Sequence, residues 1–162
     1  MYNVNRKEKT KILFVCMGNI CRSPMAEAVF VKLLERSGLA HFFEVDSAGM
    51  IDYHEGELAD SRMRNHAGKR GYRLTHRSRP VVTADFERFD LIVGMDDSNV
   101  AFLERNAPTL EAKQKIVRMA DYLSRKNIDH IPDPYYGGAS GFDLVIDLLE
   151  ESCRNLLKEL SE

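Results

Sequence analysis

Apolar positions follow two rhythms along this chain. Short runs rich in Val, Ile, Leu and Phe stand at 11–15, 42–46, 90–93 and 115–118, and each reads as a strand. Between them the apolar residues repeat at helical spacing. Ala26, Val29, Phe30, Leu33 and Leu34 predict a helix over 24–37, with Gly38 as its stop. Leu58, Met63 and Ala67 face inward on a second helix over 57–69, and a third over 100–106 stops near Pro108. Residues 119–125 read as a helical or turn segment. Val145, Leu148, Leu149, Cys153, Leu156, Leu157 and Leu160 give the last helix, 142–160, one apolar face, on which Cys153 is a core residue. Strands alternating with helices make βαβ units, so the fold class is α/β and the strands pair in parallel.

Composition narrows the class further. A chain of 162 residues fits a single domain and buries a sizeable core without staples. Charged residues make up 30% and the net charge is −2, so no strong field for nucleic acid or membrane is expected. Three cysteines argue against a disulfide framework and for reduced thiols in a cytoplasmic setting. No apolar run nears 18 residues, so no membrane span is expected. The polar, charged start lacks a signal-peptide core, and residues 1–10 read as a loose lead-in. Arg62, Arg64, Lys69 and Arg70 make the second helix basic, either as a solvated face or as a steering patch for acidic phosphopeptides.

The chemistry concentrates in Cys16-Met17-Gly18-Asn19-Ile20-Cys21-Arg22-Ser23, between the first strand and the first helix. In α/β folds ligands bind at the carboxyl ends of strands. Gly18 and Asn19 accept positive φ, which lets a loop curl and gather its N–H groups around an anion. The helix that follows adds free N–H groups and the positive end of its dipole, with Ser23 and Pro24 expected as N-cap and first helical residue. A thiol in such surroundings ionises more readily than a free one. Arg22 can return across the loop as a two-pronged clamp on phosphate oxygens, and Ser23 can donate to the Cys16 sulfur. Together these suit attack on a phosphate ester. The bare Cys-x5-Arg spacing is weak, since Glu27 and Glu159 stand six residues after the other two cysteines; the full string in its place is what carries the inference. A redox or structural cysteine in a strand-to-helix turn is the plainer alternative. A second piece is Ile131-Pro132-Asp133-Pro134-Tyr135-Tyr136, in which two prolines stiffen the backbone around a carboxylic acid. That suits a general acid, and otherwise a plain turn.

The string from Val15 to Pro24 resembles the signature of the low-molecular-weight protein tyrosine phosphatases, and later segments extend the resemblance over nearly the whole chain. It implies four parallel strands with helices on both faces, flavodoxin-like, and a phosphate-binding loop after strand one. It implies that Cys16 is the nucleophile, Arg22 the phosphate clamp and Asp133, in Asp133-Pro134-Tyr135-Tyr136, the general acid. Met17, Gly18, Asn19, Ile20, Cys21 and Ser23 complete the loop. Ser47, in Asp46-Ser47-Ala48, and His76, by hydrogen bonding Asn19, would support it; Asp96, in Met95-Asp96-Asp97-Ser98-Asn99, would cap a helix and brace it. Met17, Tyr53, His54, Tyr135 and Tyr136 would wall a deep aromatic cleft. The implied activity is hydrolysis of phosphotyrosine and small aryl phosphates through a cysteinyl-phosphate, without metal or other cofactor. The expected partners are phosphotyrosine proteins or peptides, with inorganic phosphate as product and a monomeric enzyme. Cys21 would either trap an oxidised Cys16 as a disulfide or serve as a buried supporting thiol. An arsenate reductase of the same fold is the alternative, although the further pair of relay cysteines is missing between residues 51 and 131. A catalytically weak phosphopeptide-binding module is another, although Cys16, Arg22 and Asp133 are all present.

Overall fold

A computed structural model describes residues 8–125 and 127–162, leaving aside the side chain of Tyr136. The lead-in therefore falls largely outside the described residues, and the first strand, β1 (Thr10–Cys16), already includes Thr10. The other strands are β2 (Phe43–Gly49), β3 (Leu91–Gly94) and β4 (Ile116–Arg118). All pair in parallel in the order β2-β1-β3-β4. The helices are α1 (Arg22–Ser37), α2 (Ser61–Lys69), α3 (Asp85–Arg88), α4 (Asp97–Asn106), α5 (Leu110–Lys113) and α6 (Ala139–Ser161).

The alternation of β1 builds two cores. Ile12 and Phe14 point into a layer with Phe30 of α1, Met63 of α2 and Val145 and Leu149 of α6. Leu13 and Val15 point the other way, onto Phe86 of α3, Leu103 of α4 and Ala112 of α5. Both faces of the sheet are thus covered, which is why β1 is apolar at every position from Ile12 to Val15. No helix among the described residues is long and apolar enough to cross a membrane.

The strand order places a topological switch point at β1: the chain leaves toward β2 on one side and later returns to β3 on the other. The turn after β1 sits at the mouth of that crevice, where open parallel sheets bind ligands.

Several boundaries differ from the periodicity. Strand two continues through Asp46 and Ser47 to Gly49, paired with β1 down to Cys16. Helix α2 starts at Ser61 rather than 57, because the Asp60 side chain accepts hydrogen bonds from the Arg62 and Met63 amides. Residues 56–58 instead pair with 77–78: Gly56 N donates to Ser78 O and Ser78 N to Glu57 O, each at 2.8 Å. Helix α1 starts at Arg22, with Cys21 in the cap position and no side-chain cap. Ser23 is therefore not the N-cap. Its hydroxyl is turned instead toward the Cys16 sulfur, 3.1 Å away. Helices α3 and α5 are single turns, too short to show a period, and 119–125 contains a 3₁₀ turn over Met119–Tyr122.

Candidate active site

Cys16 ends β1 and is buried, with its sulfur 3.1 Å from Ser23 Oγ and 3.4 Å from the Ser23 amide. Beyond it the turn reverses at Asn19, the one described non-glycine residue with positive φ (56°). Gly18 was the other residue expected to accept positive φ and does not use that freedom. Its missing side chain serves packing instead, since a Cβ there would stand 3.2 Å from His54 Cδ2. Gly49, at the end of β2, is needed for a similar reason: a Cβ would lie 2.9 Å from Met17 O.

The left-handed conformation of Asn19 is held by four hydrogen bonds. Asn19 Nδ2 donates to Ser23 Oγ (2.7 Å) and Ser47 Oγ (3.0 Å). Asn19 Oδ1 accepts from the Arg79 amide (3.0 Å) and faces His76 Nε2 at 2.8 Å. Because Oδ1 is an acceptor, His76 carries a proton on Nε2, and its Nδ1 looks to Glu27 (3.4 Å) and Asp46 (3.3 Å). Ser47 Oγ donates to Glu27 Oε1 at 2.7 Å, so the braces close on one another. Burial raises Glu27, with help from Asp46 and against the Ser47 hydrogen bond, to about 7. Burial likewise lowers His76, against Asp46 and alongside Arg79, so both groups favour their neutral forms. Among the described residues Glu27, Asp46 and His76 are the one cluster with metal-ligating spacing, their atoms within 4.8 Å of one another. The Ser47 amide and Arg79 already occupy the Asp46 carboxylate, so the cluster works as a hydrogen-bonded brace.

Arg22 is 2% exposed, and its guanidinium reaches Asp96 Oδ2 (2.7 Å), Ile131 O (2.9 Å) and Asp133 Oδ2 (3.5 Å). Burial opposes its charge, but Cys16, Asp96 and Asp133 outweigh that and hold it above its ordinary range. Asp96 also caps α4, accepting from the Asn99 amide at 2.8 Å, so one residue joins helix start and clamp. Asp133 arrives from the far side on a 3₁₀ turn over Pro134–Tyr136 and accepts from the Tyr135 amide at 3.1 Å.

These parts converge on one cleft of about 340 Å³, lined by Cys16, Arg22 and Asp133 at its base. Its walls include Met17, Ile20, Ile51, Tyr53, His54 and Tyr135. Tyr53 is 79% exposed and stands at the rim, edge-on to His54. Tyr136 is outside the described side chains. Burial pushes the Cys21 thiol well above its usual range. Cys153 is fully buried on α6, its thiol 3.7 Å from Ala26 O, far from any relay role.

Sequence reasoning did not single out Glu27, Arg79 or Ile51, and it read Arg62 only as one cation of a basic helix. Arg79 binds Asp46 and Asp85 and presents its amide to Asn19. Its signal was its place in the string Thr75-His76-Arg77-Ser78-Arg79, which drew attention to His76 alone. The basic helix is neither simply solvated nor uniformly free: Arg70 pairs with Asp147 and Glu150 of α6, and Arg62 with Asp60.

A buried thiol at the mouth of a parallel sheet shares one cleft with an arginine and a carboxylate, a set that suits attack on a phosphate ester. The family model for low molecular weight phosphotyrosine protein phosphatase matches residues 11–162. The chain belongs to that family. A low molecular weight protein-tyrosine-phosphatase from Streptomyces coelicolor is 42% identical over 154 residues, covering 94% of each chain. A crystal structure of a protein tyrosine phosphatase from Entamoeba histolytica superposes with TM-score 0.91 at 48% identity, covering 94% of this chain and 97% of that one. A Drosophila arginine phosphatase superposes with TM-score 0.89 at 35% identity, covering 94% of this chain and 99% of that one.

Proposed function

We propose that this chain hydrolyses phosphotyrosine in proteins or peptides, and small aryl phosphates, through a cysteinyl-phosphate. The observation that carries the reading is the convergence of Cys16, Arg22 and Asp133 on one cleft with apolar and aromatic walls. The substrate phosphate enters between Arg22 and Asp133 and takes over the guanidinium face that Asp133 now meets at 3.5 Å. Turn N–H groups and Arg22 neutralise the charge that builds on the equatorial oxygens. The Cys16 thiolate attacks phosphorus in line, forming the S–P bond as the bond to the phenolic oxygen breaks. Asp133, protonated, gives its proton to that oxygen, because an unprotonated phenolate is the poorer leaving group. Water then attacks phosphorus, Asp133 takes its proton, the S–P bond breaks and inorganic phosphate leaves. Ser23 Oγ, already 3.1 Å from the sulfur, stabilises the returning thiolate.

The apolar and aromatic walls favour an aryl phosphate over phosphoserine. Because one structural neighbour is an arginine phosphatase, phosphoarginine is the informative competitor. The test is turnover of matched phosphotyrosine, phosphoserine and phosphoarginine peptides, and of an aryl phosphate, with chelator present. Phosphotyrosine should lead by at least about tenfold. Cys16→Ser should lower turnover by about 10⁴-fold or more while phosphate still binds. Comparable rates on phosphoserine or phosphoarginine would overturn the substrate assignment, and substantial turnover by Cys16→Ser the mechanism.

A further inference from the structure

One groove away from the cleft the surface carries a depression of about 400 Å³ in which Arg64, Arg73 and Arg77 stand with Leu58, Tyr72, Leu74 and Thr75, with no carboxylate in its lining. This is unexpected in a chain with more acidic residues (25) than basic ones (23). Nearby Arg62, Arg70 and Arg79 all have carboxylate partners. Arg64, Arg73 and Arg77 have no ion-pair partner among the described residues. We propose that these three arginines form an anion subsite that receives an acidic or phosphorylated side chain flanking the phosphotyrosine of a peptide substrate. The inference rests on the phosphatase reading above.

Three observations carry it. The first is unused donor capacity. Arg64 Nε donates to Ala59 O and an Arg77 terminal nitrogen to Gly56 O, each at 2.9 Å. One bond apiece orients the guanidinium groups of Arg64 and Arg77 and leaves most of their N–H groups for a ligand, while Arg73 lines the same depression. The second is continuity. A groove of about 390 Å³ shares Ile20, His54 and Tyr135 with the catalytic cleft and Leu58, Arg64 and Arg77 with the arginine depression. An extended peptide leaving the cleft past His54 has a path to the arginines. Two carboxylates border that path, but Asp60 is engaged by Arg62 at 2.9 Å, and Glu57 lies 3.3 Å from His54. The third is rigidity. Leu58 and Arg77 form a bridge in the ribbon of 56–58 and 77–78, and Ser78 Oγ donates to Gly18 O at 2.9 Å. Arg77 thus stands at a fixed offset from the phosphate-binding turn, so substrate spacing is read against a rigid frame.

The test compares phosphotyrosine peptides in which one flanking position at a time carries Ala, Glu or phosphoserine, with an aryl phosphate as control. For wild type, the best-placed Glu or phosphoserine should raise kcat/KM about tenfold over Ala, through KM, and the gain should shrink as ionic strength rises. Arg64→Gln/Arg73→Gln/Arg77→Gln should abolish that preference, and Arg73→Glu alone should reverse it. Both should leave aryl phosphate turnover within about twofold, with unfolding midpoints confirming the fold. Arg105→Gln, on the opposite face of the sheet, should keep the preference. A larger gain with phosphoserine than with Glu would mark a doubly phosphorylated substrate, and equal gains a carboxylate-bearing one. No preference in wild type, a preference that survives the triple variant, or its equal loss in Arg105→Gln would overturn the subsite. Failure of wild type on the aryl phosphate would instead overturn the phosphatase reading.

Discussion

The turn at 16–23 and the segment carrying Asp133 meet across one cleft but are held differently. The turn is braced from beneath. Asn19, Ser23 and Ser47 are each fully or almost fully buried, and Asn19 alone gathers four partners from three segments of the chain. The Asp133 segment is held mainly at its ends. Ile131 N donates to Met95 O at 2.9 Å, its carbonyl accepts from Arg22, and Arg62 of α2 donates to Tyr135 O at 3.0 Å with its guanidinium over the Tyr135 ring. The difference fits the two roles proposed for these segments. An anion cradle must not rearrange when charge develops, so its dipoles are fixed in advance. An acid must reach leaving groups that enter from solvent, so two prolines stiffen its backbone and hold it on a half-buried turn at the cleft.

Substitutions can break this contrast from either side. The largest effect should come from Asp133→Ala, which should slow hydrolysis of a poor leaving group by about 10²- to 10⁴-fold and that of an activated aryl phosphate far less. Equal losses on both would deny Asp133 the acid role. Asn19→Ala should act on the other loop and in another quantity. It removes four hydrogen bonds and leaves a β-carbon residue in the left-handed region, so denaturant unfolding should show a loss of about 3 kcal/mol, with weaker phosphate binding. A stable variant with unchanged phosphate affinity would mean that the brace is not what shapes the turn.

Glu27→Gln sharpens the same brace through pH. A folded-state value of about 7, against 4.5 unfolded, means that Glu27 contributes stability below pH 4.5 and that this is lost as pH rises through 7. The amide should therefore raise the unfolding midpoint at pH 8 relative to wild type and change it little at pH 4.5, a difference of about 2–3 kcal/mol. The smallest effect belongs to Arg62→Ala. Its guanidinium is exposed, so releasing the Tyr135 carbonyl should lower kcat for poor leaving groups only about three- to fivefold, with activated substrates unaffected. A uniform loss across substrates would place Arg62 in phosphate binding instead.

Much of this architecture is local and therefore legible in sequence. Strand β1 is apolar at consecutive positions because both its faces are covered, and that makes it stand out as a run. Helices α1 and α6 show their buried faces as a 3.6-residue period. The Cys16–Arg22 string is legible because a tight anion-binding turn forces nucleophile, clamp and turn residues into adjacent positions. Asp133 is legible because prolines flank it. The start of α2 was misplaced because periodicity does not register a cap, and Ser23 was misread because its capping propensity and its reach to Cys16 make the same residue type attractive.

What lies far apart in sequence was decided only on folding. Arg22 meets Ile131 and Asp133 across more than a hundred residues, and Glu27 becomes a near-neutral acid only once α1 and β2 bury it beside Asp46 and Ser47. The same holds for charge. Arg62, Arg64 and Arg70 look alike as cations in the sequence, yet packing gives Arg70 three acidic neighbours on α6 and Arg62 an aromatic ring, while Arg64 donates to a backbone carbonyl and shares its depression with Arg73 and Arg77. Sequence specifies which groups exist and which local conformations they favour. Partners, burial and therefore proton affinity depend on dielectric and distance, and those are set by the tertiary structure.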